Sequence, residues 1–134
     1  MHLTNQILAT KEGFMDFMKN YPSNTPVVMV NLLKFKAKTG NGEQTGIEAY
    51  KEYSKHVAPL LAKVGGKVLW GGDVNQTIIG DYSTQPDQVL VVQYPSKEAF
   101  ISMATSAEYK AISHHREMAL EYGGLLATST LGGK

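Results

Sequence analysis

The segment AISHHREMALEYGG, residues 111 to 124, carries Arg116 and the adjacent histidines His114 and His115 in a stretch where packing alone would favour aliphatic side chains. A guanidinium presents its N–H groups in a planar fork that can hold a carboxylate or stabilise an enolate. An imidazole changes charge near neutral pH and can carry a proton. With Ile112 taken as the inward direction and about 100° per residue, Ala119 lies about 20° to one side and Arg116 about 40° to the other. On the same wheel Tyr109 and His115 flank the stripe at about 60° on opposite sides, and His114 falls near the outer face. Arg116 therefore sits near the centre of the buried stripe. Its helical neighbours, Ile112, Ser113, Ala119 and Leu120, include no acid. The guanidinium must reach a distant carboxylate, a group of carbonyls, the solvent rim or an anionic ligand, and Asp81 and Asp87 are the first acids to consider. A structural ion pair or an interface arginine is the competing reading.

Three further residues could supply polar contacts to a small molecule. Asn31 lies mid-strand between Val30 and Leu32, where a buried amide needs either backbone partners or a ligand carbonyl. Tyr53 flanks the buried stripe of a long helix, and Trp70 ends a strand before Gly71-Gly72. Aromatics at such places form core, or wall a pocket with a polar tip available. The candidate site is thus His115 and Arg116 as catalytic groups, with Asn31, Tyr53, Trp70 and Tyr109 binding substrate. His114 and His115 diverge by about 100° on a helix, and no HxxxH, HExxH or cysteine pair is present, so no metal site is expected. The glycine pairs lack the GxGxxG and GxxxxGK[ST] patterns and read as turns rather than as nucleotide cradles. Lys34, Lys36 and Lys38 alternate along the end of a strand, as on a solvated edge.

The elements that must position these residues follow from local signals. Thr10 can cap a short helix containing Phe14, Phe17, Met18 and Tyr21, which YPSNTP ends. VVMVNLLKF, residues 27 to 35, is apolar on both alternating faces, as in a central strand covered on both sides. KAKTGNGEQTG is a solvated loop. Ile47, Tyr50, Ser54, Val57, Leu61 and Val64 mark one stripe of a helix from Gly46, which Gly65-Gly66 close and Pro59 should bend near Lys55. GKVLWGGD and NQTIIGDY read as a strand, a break and a short strand, and QVLVVQY as a buried strand. Ser96 caps a short helix with Phe100 and Met103, and Thr105 with Glu108 has the spacing of a capping box for the helix of Arg116. LLATSTL, after Gly123-Gly124, is the final strand.

Omitting the amino-terminal helix, this order is βαββαβ, which makes an antiparallel sheet with two helices on one face, the ferredoxin-like arrangement of the α+β class. The division is an amino-terminal helical arm, 1–26, and one domain, 27–131. With both faces of the central strands apolar, a second copy of the chain is the simplest cover for the open face, in an isologous homodimer. Thirteen Lys+Arg against twelve Asp+Glu leave a formal charge of +1, so there is no field to recruit nucleic acid or an anionic membrane. No stretch reaches the roughly 18 apolar residues of a membrane span, and there is no basic start followed by an apolar run. The chain has no cysteine, which removes thiol chemistry and fits a cytoplasmic location.

The stretches VVMVNLLKFK, AYKEYSKHVAPLLAKVGGKVLWGG, IGDY, YPSKEAF and SAEYKAISHHREMALE, spanning about residues 27 to 126, resemble the domain-of-unknown-function 1330 family within the dimeric α+β barrel superfamily. The resemblance implies two ferredoxin-like units packed sheet to sheet, with a pocket between each sheet and its helices. That superfamily includes cofactor-free monooxygenases, isomerases, haem enzymes and proteins without known activity, so fold does not select a reaction. The expectation is a small-molecule-binding homodimer, acting without a cofactor on a small carbonyl or carboxylate compound by proton transfer or oxygenation. In it Arg116 orients or stabilises the anion and His115 moves the proton. A non-catalytic ligand-binding protein and a structural dimerisation module are the alternatives.

Overall fold

Val27 to Phe35 alternates two apolar faces, and it is the strand around which the sheet is built. In the computed structural model, which describes residues 7–40 and 42–132, this strand is β1, Val27–Phe35. It follows α1, Lys11–Asn20, and precedes α2, Gly46–Lys63, and β2, Lys67–Asp73. A single 3-10 turn, Tyr82–Thr84, leads to β3, Gln88–Tyr94; then come α3, Lys97–Ala104, α4, Ala107–Ala119, and β4, Leu120–Thr128. The sheet order is β2-β3-β1-β4, with every pair antiparallel. This is the ferredoxin-like βαββαβ arrangement, its second helical unit divided into α3 and α4, with the amino-terminal helix as an addition.

Caps define the helix ends. Thr10 accepts from the Gly13 amide at the start of α1, and Thr45 with Glu48 forms a full capping box at the start of α2. At the end of α2 the Gly65 amide donates to the Ala62 carbonyl and the Gly66 amide to that of Leu61, with Gly65 at φ 81°. That is the Schellman pattern, which glycine adopts without a Cβ penalty.

Side chains of β1 at odd positions face the helices. Leu33 and Phe35 pack with Ala49, Tyr50 and Tyr53 of α2, and with Ala119 and Leu120. Val27 and Met29 pack with Val92, Tyr94 and Met103. Even positions point to the opposite face: register places Val30 between Val91 and Leu126, and Trp70 beside Val91. Trp70 is 58% and Leu126 54% exposed on that face.

Five local expectations differ from the structure. Tyr50, Val57, Leu61 and Val64 face the core as expected, but Ile47 and Ser54 are exposed and Tyr53 is buried in the stripe of α2. β2 runs through Gly71-Gly72, which pair with Leu90 and Val89 of β3, and the Trp70 ring lies where a Cβ on Gly72 would come within 2.6 Å of it. Residues 75–82, read as a short strand, form no strand and end at the first residue of the 3-10 turn. Gly123-Gly124 does not stop a helix: α4 ends at Ala119, β4 starts at Leu120, and Gly124 sits opposite Leu32 within the sheet. The cap of α4 is Ser106, not Thr105, whose hydroxyl instead returns to the Ile101 carbonyl of α3.

Candidate functional site

Between the helix-side face of the sheet and the helices lies a cavity of about 600 Å³. The sheet supplies Met29, Asn31, Tyr94, Leu125 and Ala127 to its wall, and the helices supply Tyr53, Phe100, Met103, Tyr109 and Arg116. Residues 7–10 and Gly13, Phe14 and Phe17 of α1 complete it, so the amino-terminal arm forms one wall. Most of these side chains are apolar or aromatic, with a small polar pole, the usual make-up of a site for an organic molecule.

Arg116 forms the charged part of that pole. Its Nη1 donates to the Ile7 carbonyl at 2.6 Å and its Nη2 to the Gly123 carbonyl at 3.1 Å. Asp81 is not its partner: it caps the 3-10 turn through the Ser83 amide and hydroxyl, which hold its carboxyl below the usual range. Asp87 is not either, accepting the Phe35 amide at 2.8 Å. The ion pairs of Glu52 with His56 and of Lys63 with Glu108 both lie on exposed surface and do not involve Arg116. Arg116 is therefore a half-buried cation satisfied by two backbone carbonyls, with further N–H donors in its fork.

Gly123 makes this placement possible. A Cβ there would stand 2.8 Å from Arg116 Nη2 and 2.7 Å from a Leu120 methyl. The chain turns directly from α4 into β4 at Leu120, which brings the first residues of the strand back beneath the last turn of the helix.

Tyr53 and Tyr109 bridge α2 and α4 through their hydroxyls at 2.9 Å. Burial holds the Tyr53 phenol well above its ordinary value, and the Tyr109 neighbour adds to this. Burial pushes Tyr50 up to about 12, with the Arg116 charge acting in the opposite direction, and it also raises Tyr94. These phenols are neutral at physiological pH and serve as hydrogen-bonding groups, not as bases. Asn31 donates one amide hydrogen to the Leu90 carbonyl at 3.2 Å across the sheet. The cavity thus presents one cation, the linked hydroxyls of Tyr53 and Tyr109, and an amide.

Four of the six residues singled out from the sequence meet on this wall: Asn31, Tyr53, Tyr109 and Arg116. His115 is not among them. It lies in the seam between α2 and α4, with its ring stacked on His56 at 5.3 Å and 11° and 4.0 Å from that of His114. Desolvation, followed by the charges of His114 and His56, lowers its pKa, while Glu52 opposes the shift. The reason is angular: Tyr109 and His115 flank the inward direction of α4 on opposite sides, and the cavity opens on the Tyr109 side. Trp70 is also absent from the wall, because pleating turns it to the opposite face of the sheet. Phe14, Phe17, Phe100, Met103 and Gly123 were not anticipated as cavity residues. For Phe14 and Phe17 the helical spacing was visible, but not the surface they cover.

The profile of a domain of unknown function, 1330, matches residues 41–128. The chain belongs to this family. The match begins after β1, later than the resemblance read from residue 27. A crystal structure of a protein of unknown function from Rhodopseudomonas palustris is 33% identical, with 96% of this chain and 98% of that one covered and a TM-score of 0.89. More distant likenesses establish the fold alone. A dimeric protein of unknown function with a ferredoxin-like fold from Bacteroides fragilis is 13% identical over 81% of this chain and 100% of that one, with a TM-score of 0.52. A dabb family protein from Mesorhizobium loti, also ferredoxin-like, is 11% identical over 80% and 98%, with a TM-score of 0.51. No curated protein matches the chain significantly. No helix among the described residues is long and apolar enough to cross a membrane.

Proposed function

We propose that this family member is a homodimer that binds a small, mainly apolar molecule carrying one carboxylate or enolate, held by Arg116 with help from Tyr53, Tyr109 and Asn31. The observation that carries this reading is a guanidinium that has no carboxylate partner among the described residues, at the polar pole of an otherwise apolar cavity. A half-buried cation is costly unless an anion or several acceptors meet it, and two carbonyls leave donors for a ligand oxygen. A cofactor-independent reaction on such a molecule, by proton transfer or oxygenation, is one form of the proposal. The non-catalytic form has the specific support that no imidazole or carboxylate lines the cavity among the described residues. Proton transfer through His115 would need it to leave the stack with His56.

The homodimer is supported by the apolar outer face of the sheet, where Trp70 and Leu126 are exposed beside Val30 and Val91, and by the description of the Bacteroides fragilis neighbour as dimeric. The cysteine-free composition supports a cytoplasmic site of action.

Native mass spectrometry of freshly purified protein tests both parts, reading subunit number and any retained small molecule. Calorimetric titration with 4-phenylbutyrate, an anion with an apolar body, supplies a defined probe. Arg116→Met keeps the aliphatic stem and removes the charge, and it should weaken this binding about tenfold or more. Equal affinity in the variant would refute the anion pole. A wild-type chain that is monomeric at micromolar concentration would refute the homodimer.

A further inference from the structure

The amino-terminal arm is attached to the domain by a cation at each end, and the two attachments differ in kind. At the end of α1 the Lys97 ammonium, in a residue only 6% exposed, donates to the carbonyls of Met18 at 2.6 Å and Tyr21 at 2.5 Å. A buried cation on the terminal carbonyls of a helix satisfies both itself and the helix end. The Tyr21 hydroxyl adds bonds to the Pro26 and Thr128 carbonyls, and Phe17 packs on Tyr21 and Phe100. This end is anchored on several sides.

The other end is held lightly. Leu8, Ala9 and Thr10 are exposed, and α1 contains no buried residue. Ile7 is secured by its half-buried side chain at the edge of the core and by its carbonyl on Arg116 Nη1. The group that holds the arm shut is thus the group assigned to the ligand.

We propose that residues 7–20 are a hinged roof over the cavity, pivoting at Lys97, and that the Ile7 carbonyl occupies on Arg116 the place of a ligand carboxylate oxygen. An anionic ligand then binds by displacing it. The inference rests on the anion-binding reading above and adds its route of entry and its selectivity. A carbonyl is a neutral acceptor making one bond to the fork, whereas a carboxylate brings an opposite charge and two oxygens that can accept parallel bonds from it. Once released, the Ile7 carbonyl lies at the protein surface, where water replaces Arg116. A neutral amide offers Arg116 only what Ile7 already provides, so it gains nothing by displacement. Phe14 and Phe17, on the underside of the roof, select an apolar body.

Hydrogen–deuterium exchange of the full-length chain, read by mass spectrometry on peptides covering residues 8–20, tests this directly. Arg116→Gln should speed exchange at the start of α1 roughly tenfold or more, with β1 unchanged. In the wild type, 4-phenylbutyrate should produce a similar acceleration and 4-phenylbutanamide none. Lys97→Met should loosen the opposite end, near Met18 to Tyr21. If Arg116→Gln loses its fold by circular dichroism, Arg116→Lys, which keeps the charge with fewer donors, should give a smaller acceleration. Wild-type exchange rates in the folded arginine variant would overturn the latch. Calorimetric binding of 4-phenylbutyrate with no change in exchange would overturn the displacement while leaving the cavity reading intact. Failure of 4-phenylbutyrate to bind the wild type would remove the anion-binding reading and the roof with it.

Discussion

Replacing Gly123 with alanine should separate the site from the fold. The new Cβ would be 2.8 Å from Arg116 Nη2 and 2.7 Å from a Leu120 methyl, and both are far ends of flexible side chains. Restoring ordinary contact requires the guanidinium to retreat by about half an ångström or more, since carbon contacts are optimal near 3.5–4.0 Å. Its bond to the Gly123 carbonyl, already 3.1 Å, would be stretched past useful range. A hydrogen bond to a charged group contributes about 1.5–3 kcal/mol, and partial exposure of Arg116 reduces this to about 1–2 kcal/mol. Part of that loss is offset in the fold, because alanine in a strand is favoured over glycine by roughly 0.5–1 kcal/mol. The unfolding free energy in urea should therefore change by no more than about 1.5 kcal/mol, while a guanidinium pushed off its carbonyl should bind 4-phenylbutyrate about tenfold more weakly. The two measurements are made on one sample. Unchanged affinity would mean that the position of Arg116 beneath the helix end does not matter to the ligand. A collapse of stability would mean that backbone, not side chains, is displaced.

Two other outcomes follow from the packing of Gly46 and of His115. Gly46→Ala should destabilise the chain by about 2–4 kcal/mol in urea, since its Cβ would meet the Lys36 carbonyl at 2.4 Å and the Ala119 carbonyl at 2.5 Å, backbone atoms that cannot rotate away. It would also strain the bonds from the Gly46 amide to Lys36 and from the Lys36 amide to Ala119, and a loss below about 1 kcal/mol would contradict this junction. Stability should fall as pH drops from about 6.5 through the depressed His115 value, because the unfolded chain then binds a proton that the folded chain resists. Comparing urea midpoints at neutral and mildly acid pH, His115→Gln should flatten this dependence, and an identical slope in the variant would remove His115 as its source.

The limits of local information show in particular residues. Thr10 and Ser96 were legible as caps because a cap involves an oxygen and an amide two or three residues away. Thr105 failed as a cap because Ser106, one residue on, offers an equivalent hydroxyl, and the end of α3 took Thr105 instead. Gly123-Gly124 resembled a helix stop because an isolated glycine pair carries no sign of whether the backbone turns or a neighbouring ring needs the space; here the Tyr122 ring lies over Gly124.

The sequence by itself determined the element order, the two-faced central strand and an arginine on the inward stripe of its helix with no acid at helical spacing. These are properties of periodicity and short spacing, set within a few turns of chain. Only the tertiary structure decided which side of that stripe opens to a cavity, and so kept Tyr109 and lost His115. It alone brought Ile7 onto Arg116 and Met18 onto Lys97, contacts between residues 109 and 79 positions apart in the chain. The physical reason is that a guanidinium or ammonium accepts any correctly placed carbonyl, and backbone carbonyls carry no sequence signature.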